Sequence, residues 1–192
     1  MTALRAVALS AVALSALIGP TVASAEPTPA PKPAAEPTLT QLSEQAIVRR
    51  RVTATPAELE ARLREAFFAL VGEAMNAKWE LAGPPLARYQ ARGTTAEPEF
   101  IIDAALPLRT KPRQPAGPGF AIDQLPAGPA ATLLHRGRLA DLPRSHAMVD
   151  AWLSANHRRA VGPRWEVFVT NPVTTPDPNA QQVTIVVPLA PQ

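Results

Sequence analysis

The 192-residue chain has no cysteine, one tyrosine, 5% aromatic residues and 18% charged residues. Without cysteine there is no disulfide framework, thiol nucleophile, iron–sulfur cluster, thiolate zinc site or cysteine-borne lipid anchor. The net charge of +3, from 19 basic and 16 acidic side chains, is too small and too scattered to argue for nucleic acid. No Gly-rich phosphate loop and no H-E-x-x-H pattern occurs. What is plentiful is proline, 23 residues, beside a hydrophobic fraction of 46%. That fraction excludes a wholly disordered chain, and the length suits a core of one domain or two small ones. Proline without a Gly-x-y period excludes collagen and belongs to tails and loops.

Arg5, the apolar run Ala6–Gly19 and the Ala23-Ser24-Ala25 cleavage pattern make residues 1–25 a secretory signal peptide. The run is shorter than the about 20 apolar residues of a membrane span and ends at Pro20. The expected location is therefore periplasmic or secreted, with no stable membrane insertion after signal removal. Residues 26–38 carry Pro27, Pro29, Pro31, Pro33 and Pro37 with little apolar except alanine, and read as a disordered, polyproline-II spacer.

Residues 39–192 are the expected domain. Glu44–Ala54 reads as a strand. Thr55-Pro56-Ala57-Glu58 then predicts a helix start, with Thr55 as N-cap, Pro56 at N1 and Glu58 closing a capping box. Leu59, Leu63, Phe67 and Leu70 follow at helical spacing, widened by Val71 and Met75. Leu86–Gln90 and Phe100–Leu108 read as strands. In the second half, Phe120–Gln124 and Ala130–Arg136 form an interrupted strand region. Asp141 is the expected N-cap of a helix burying Leu142, Val149, Trp152 and Leu153, and Asn156 its left-handed stop. Trp165–Thr170 and Val183–Leu189 close the chain.

Gly83-Pro84 recurs as Gly162-Pro163, 79 positions on; Thr94–Pro98 recurs as Thr174–Pro178, 80 on; Pro107-Leu108 recurs as Pro188-Leu189, 81 on. This predicts an α+β fold of two strand–helix–strand–strand repeats, about 39–115 and 116–192, paired about a pseudo-two-fold axis. Helices would cover one face of antiparallel sheets, with a ligand cleft on the other.

His135-Arg136-Gly137, Leu142-Pro143, Trp152-Leu153, Gly162-Pro163 and the run Trp165–Pro172 give the second half a recognisable order. From about Phe120 to Leu189 it resembles the GyrI-like small-molecule-binding domain, the effector-binding domain of AraC-type and multidrug-responsive activators. In the first half the resemblance rests on topology. It implies two strand–helix–strand–strand units around a ligand cleft, and binding of hydrophobic, often cationic small molecules. One branch of that family hydrolyses reactive cyclopropane-containing natural products, and the architecture is similar to the SOUL haem-binding proteins. A tyrosine common after His-Arg-Gly is Leu139 here, and the aromatic after Glu-Val, often tyrosine, is Phe168; both departures weigh against a hydrolase. In place of a helix-turn-helix the chain has the signal and the proline tail, which removes the regulator reading.

Side chains alternate along Trp165–Thr170. Trp165, Val167 and Val169 make the more apolar set, expected to face the helices, which leaves Glu166 and Phe168 on the cleft. A carboxylate there costs several kcal/mol unless paired, and a cationic ligand recovers that cost. The repeat aligns Tyr89 with Phe168 and Ala87 with Glu166, so Tyr89 and Phe168 would be facing aromatic walls, with Trp79 a further wall or simply packing where the first helix ends. The expected function is reversible binding of a hydrophobic and, where charged, cationic ligand by Glu166, Phe168, Tyr89 and Trp79, with no cofactor. The rival reading is an enzyme in which Glu166 is the general base of a hydrolase. Others are a haem protein using His135 and a structural envelope protein. His135, His146 and His157 lie on different elements and predict no metal site. Adjacent Ser145 and His146 point about 100° apart and form no catalytic pair. Arg49-Arg50-Arg51 reads as a charged sheet edge that discourages aggregation, with a lipid-surface role as the rival.

Overall fold

A computed structural model describes residues 36–92, 99–171 and 174–191. The signal segment, nearly all of the spacer and the Thr94–Pro98 landmark lie outside the described residues. The chain divides after Pro33, and the fold is that of the unit Ala34–Gln192.

The elements run β1 (Thr38–Leu42), β2 (Gln45–Ala54), α1 (Leu59–Asn76), β3 (Leu86–Arg92), β4 (Glu99–Pro107), β5 (Ala121–Leu125), β6 (Gly128–Arg136), α2 (Leu142–Ala155), β7 (Trp165–Phe168) and β8 (Gln182–Pro188). The fold is α+β, with two helices and one curled antiparallel sheet in the order β1-β6-β8-β7-β3-β4-β2-β5. At its centre β3 and β7 pair in the register Leu86–Val167, Ala87–Glu166 and Arg88–Trp165. Among the described residues no helix is long and apolar enough to cross a membrane.

Both helices lie on one sheet face. Leu63, Ala66, Leu70 and Ala74 of α1 pack on Val48, Ala87, Ile102 and Ala104. Leu142, Val149 and Leu153 of α2 pack on Leu133, Val183, Ile185 and Val187. Phe168 packs against both of these cores and so marks their seam. The opposite face has its own core of Ile47, Leu86, Ala105, Leu125, Ala130, Trp165 and Val186, because the curled sheet folds that face onto itself. This buried cluster lies on the face where the sequence placed an open cleft. The alternation along β7 holds, but its sense is reversed: Trp165 and Val167 turn away from the helices, and Glu166 and Phe168 turn toward them.

Other expectations change in detail. The interrupted region Phe120–Arg136 is two strands with different partners, β5 on β2 and β6 on β8, while β1 crosses to β6. The helix α1 starts at Leu59, after a turn. Glu58 accepts from the Thr55 backbone N–H at 3.2 Å as expected, but the Thr55 hydroxyl also donates to that carboxylate, at 3.0 Å, so it caps no helix N–H. Val71 and Met75 face solvent, and the buried stripe runs through alanines instead. Asp141 makes no side-chain cap, and the left-handed residue after α2 is His157, φ 51°, with Asn156 in an ordinary conformation. Arg49–Arg51 is no sheet edge, since β2 lies between β4 and β5. Arg49 and Arg51 pair with aspartates on one face, and Arg50 sits over the Phe120 ring on the other.

Candidate functional site

Glu166 is 6% exposed, on the helix-covered face beside the seam. Its strand neighbour across the register is Ala87, fully buried and small enough to leave the carboxylate facing other groups. From above, α2 brings His146, whose Nε2 lies 2.7 Å from Glu166 Oε1. From β3 comes Tyr89. Burial first, and then the Glu166 charge and hydrogen bond, push its phenol above the ordinary range.

The polar chain continues outward. Arg164, just before β7, places Nη1 3.3 Å from His146 Nδ1, and its Nη2 reaches Asp150 Oδ1 at 2.6 Å. A guanidinium only donates, so Nδ1 must accept and the imidazole proton is assigned to Nε2 by elimination. His146 is then a neutral donor to Glu166. His146 and Asp150 share one helix face four residues apart, which is why a single arginine spans both.

Of the expected site residues, Glu166, Tyr89 and Phe168 gather at the seam. The ring against Phe168 is not Tyr89 but Phe67 of α1, at 5.8 Å between centroids and 75° between planes. Tyr89 contributes its hydroxyl to Glu166 instead, supplying a phenol that Phe168 lacks. Trp79 stands apart: it packs on the core where α1 ends, its N–H donating to the Ala74 carbonyl. It also lines a shallow hollow of about 430 Å³ with Lys78, Glu80 and Arg113. A second hollow, about 310 Å³, lies by Leu39, Pro129 and Arg158. Neither is lined by Glu166.

Sequence reasoning missed His146, Arg164 and Asp150 as site residues. The available signal was the pairing of His146 and Asp150 at i,i+4 with the Arg164–Glu166 spacing at the start of β7. The rejection of a Ser145–His146 pair agrees with the geometry, since Ser145 Oγ bonds His135 Nδ1 at 2.8 Å while His146 turns to Glu166. His135 Nε2 meets the Arg138 carbonyl at 3.0 Å, so both ring nitrogens are engaged and an axial haem bond would have to break one contact. Among the described residues no three histidine or acidic side chains gather where an ion would sit.

No family model and no curated protein matches the chain. Solved structures do share its fold. The EcmrR C-terminal domain superposes with a TM-score of 0.71 at 14% identity, over 82% of this chain and 99% of that one. EcmrR in its DNA complex gives 0.70 at 14% identity, and the match spans only 58% of that longer chain. A hydrolase from Listeria innocua gives 0.57 at 10% identity, over 82% of this chain and 93% of that one. The likeness at these identities is one of fold.

Proposed function

We propose that this chain is an exported small-molecule-binding protein of the GyrI-like effector-binding kind, holding a hydrophobic cation against Glu166. The observation that carries the reading is the state of that carboxylate. It is buried, its hydrogen-bond partners His146 and Tyr89 are neutral donors, and no lysine or arginine pairs with it among the described residues. An unneutralised buried carboxylate costs several kcal/mol, and a cation reaching it recovers that cost. Phe168 and Phe67 supply ring faces worth about 0.5–2 kcal/mol each to such a ligand.

Two further parts of the proposal concern the chain's history and address. The two halves are a duplicated unit about a pseudo-two-fold axis at the β3–β7 pair. Its support is that the strand order reads the same from either end when each element is exchanged for its counterpart four strands on. Under a 79-residue shift the pair Ala87–Glu166 maps onto itself, and Leu86–Val167 maps onto Arg88–Trp165. Export rests on residues 1–25 of the sequence.

The test is a titration of the purified protein with ethidium, a flat aromatic cation. A saturable rise in melting temperature is expected, with affinity falling at least about tenfold in Glu166→Gln. Equal binding by the variant, or no saturable response, overturns the reading. Turnover of an electrophilic substrate that Glu166→Gln abolishes would assign the hydrolase instead.

A further inference from the structure

Granting the binding role of Glu166, a second question is what occupies that carboxylate when no ligand is there. We propose that His146 is the site's internal latch: a side chain that stands in for the ligand, must be displaced by it, and thereby sets which ligands are accepted and at what pH.

The geometry assigns the parts. His146 Nε2 sits 2.7 Å from Glu166 Oε1, at the distance and in the direction a ligand donor would use. Its side chain is 21% exposed where that of Glu166 is 8% exposed, so the imidazole lies on the solvent side of the carboxylate. Arg164 and Asp150 hold the other end. The Asp150–Arg164 pair is fixed by contacts of 2.6 and 3.4 Å, and Arg164 Nη1 holds His146 Nδ1 as an acceptor. With Nδ1 accepting, Nε2 offers Glu166 a single uncharged N–H, a weak occupant that a full positive charge can replace.

Among the described residues, the titratable and charged groups bonded to His146 or to its partners form one chain of contacts. Glu166 comes from β7, Arg164 from the loop before it, Asp150 from α2 and Tyr89 from β3 beyond the carboxylate. His135 of β6 is turned to Ser145 and the Arg138 carbonyl. Protonation of His146 adds a proton at Nδ1, opposite the Arg164 guanidinium, and removes that hydrogen bond. The imidazolium that results forms an ion pair with Glu166. The latch then competes with a cationic ligand on equal terms. Acidification closes the site against cations, and neutral pH opens it.

The experiment compares ethidium with phenanthridine, its uncharged ring system, on the full chain and on His146→Ala, His146→Gln and Glu166→Gln. Wild-type affinity for ethidium should fall at least about fivefold between about pH 8 and about pH 5. His146→Gln keeps a neutral donor that cannot titrate, so it should bind as the wild type does at pH 8 and show no such fall. His146→Ala removes the occupant and should bind ethidium at least about threefold tighter at pH 8 with phenanthridine unchanged. In the ¹⁵N-labelled wild type, the His146 Nε2–H resonance should move on saturation with ethidium.

If ethidium binds, Glu166→Gln loses it, and both His146 variants keep the wild-type affinity and pH slope, the latch is overturned while the binding site stands. The same holds if the His146 resonance does not move at saturation. If neither the wild type nor His146→Gln binds ethidium, the binding role fails and the latch with it. Should His146→Ala not fold, the His146→Gln pH profile and the resonance decide alone.

Discussion

Asp103 is 1% exposed, on the sheet face away from the helices, and three arginines hold it. Arg51 grips it with Nε and Nη2 at 2.7 and 2.9 Å, Arg88 reaches it at 3.0 Å and Arg49 at 3.4 Å, while Asp123 shares Arg49 and Arg88. Burial alone would raise the Asp103 carboxyl, but hydrogen bonds from Arg51 and Arg88 and the nearby positive charges outweigh it and hold the group below the usual range. A lowered folded value means the stabilisation is present above the unfolded carboxyl's value near about 4 and is lost as pH falls through the folded one. Asp103→Asn should cost about 1–3 kcal/mol near neutral pH, since it removes the charged acceptor of Arg51 while Asp123 still holds Arg49 and Arg88. Urea unfolding measures this, and the variant's stability should also flatten in the acid range where the wild type loses it. An unchanged midpoint would show the network to be idle. Residue identity made Glu166 legible as a candidate, because a lone acid in an apolar strand is conspicuous in any sequence, whereas its bond to Tyr89 was not legible. Asp103, Arg88 and His146 were not legible. Their partners lie 15 to 54 residues away, and only the tertiary fold brings them together.

At the scale of elements, α1 shows how far periodicity carries. Leu63 and Leu70 are buried as the spacing predicts, while Phe68 is 69% and Met75 74% exposed. The helix packs closely on the sheet through Ala66 and Ala74, and small residues are invisible to a reading that follows large apolar ones. The same bias misassigned the faces of β7. Trp165 and Val167 outweigh Glu166 and Phe168 in hydrophobicity, yet a curled sheet buries both of its faces. Gly72 offers a test of the helix itself. It lies inside α1, and a methyl group added there would meet nothing within 4 Å. Gly72→Ala should therefore stabilise the protein by about 0.5–1 kcal/mol through backbone entropy. The melting temperature should rise by about 1–4 °C in a domain of this size. A fall would mean that the Gly72 surface has a use that a methyl group obstructs.

For the whole molecule, the decisive feature is an exchange that the sequence could not reveal. Nothing local in the sequence says which half of the chain a leading strand will join. In the structure β1 crosses to β6 of the second half, with Thr38 to Leu42 against Thr132 to Gly128, and β5 crosses to β2 of the first half. Each half thus completes the other's sheet, and the central β3–β7 pair joins them again. The consequence can be tested by cutting the chain in the loop between β4 and β5. The first fragment, through residue 115, keeps α1 on β2, β3 and β4, but β2 loses β5 and β3 loses β7, so both outer strands become open edges. Its β1 is left with no strand to pair. The second fragment suffers the same losses at β6 and β7. Such edges favour association over a folded monomer. Neither fragment alone should therefore unfold cooperatively in urea, whereas a one-to-one mixture should elute at the size of the intact domain and recover its circular dichroism. A first fragment that folds by itself as a monomer would show that the crossed strands are accessory to the sheet.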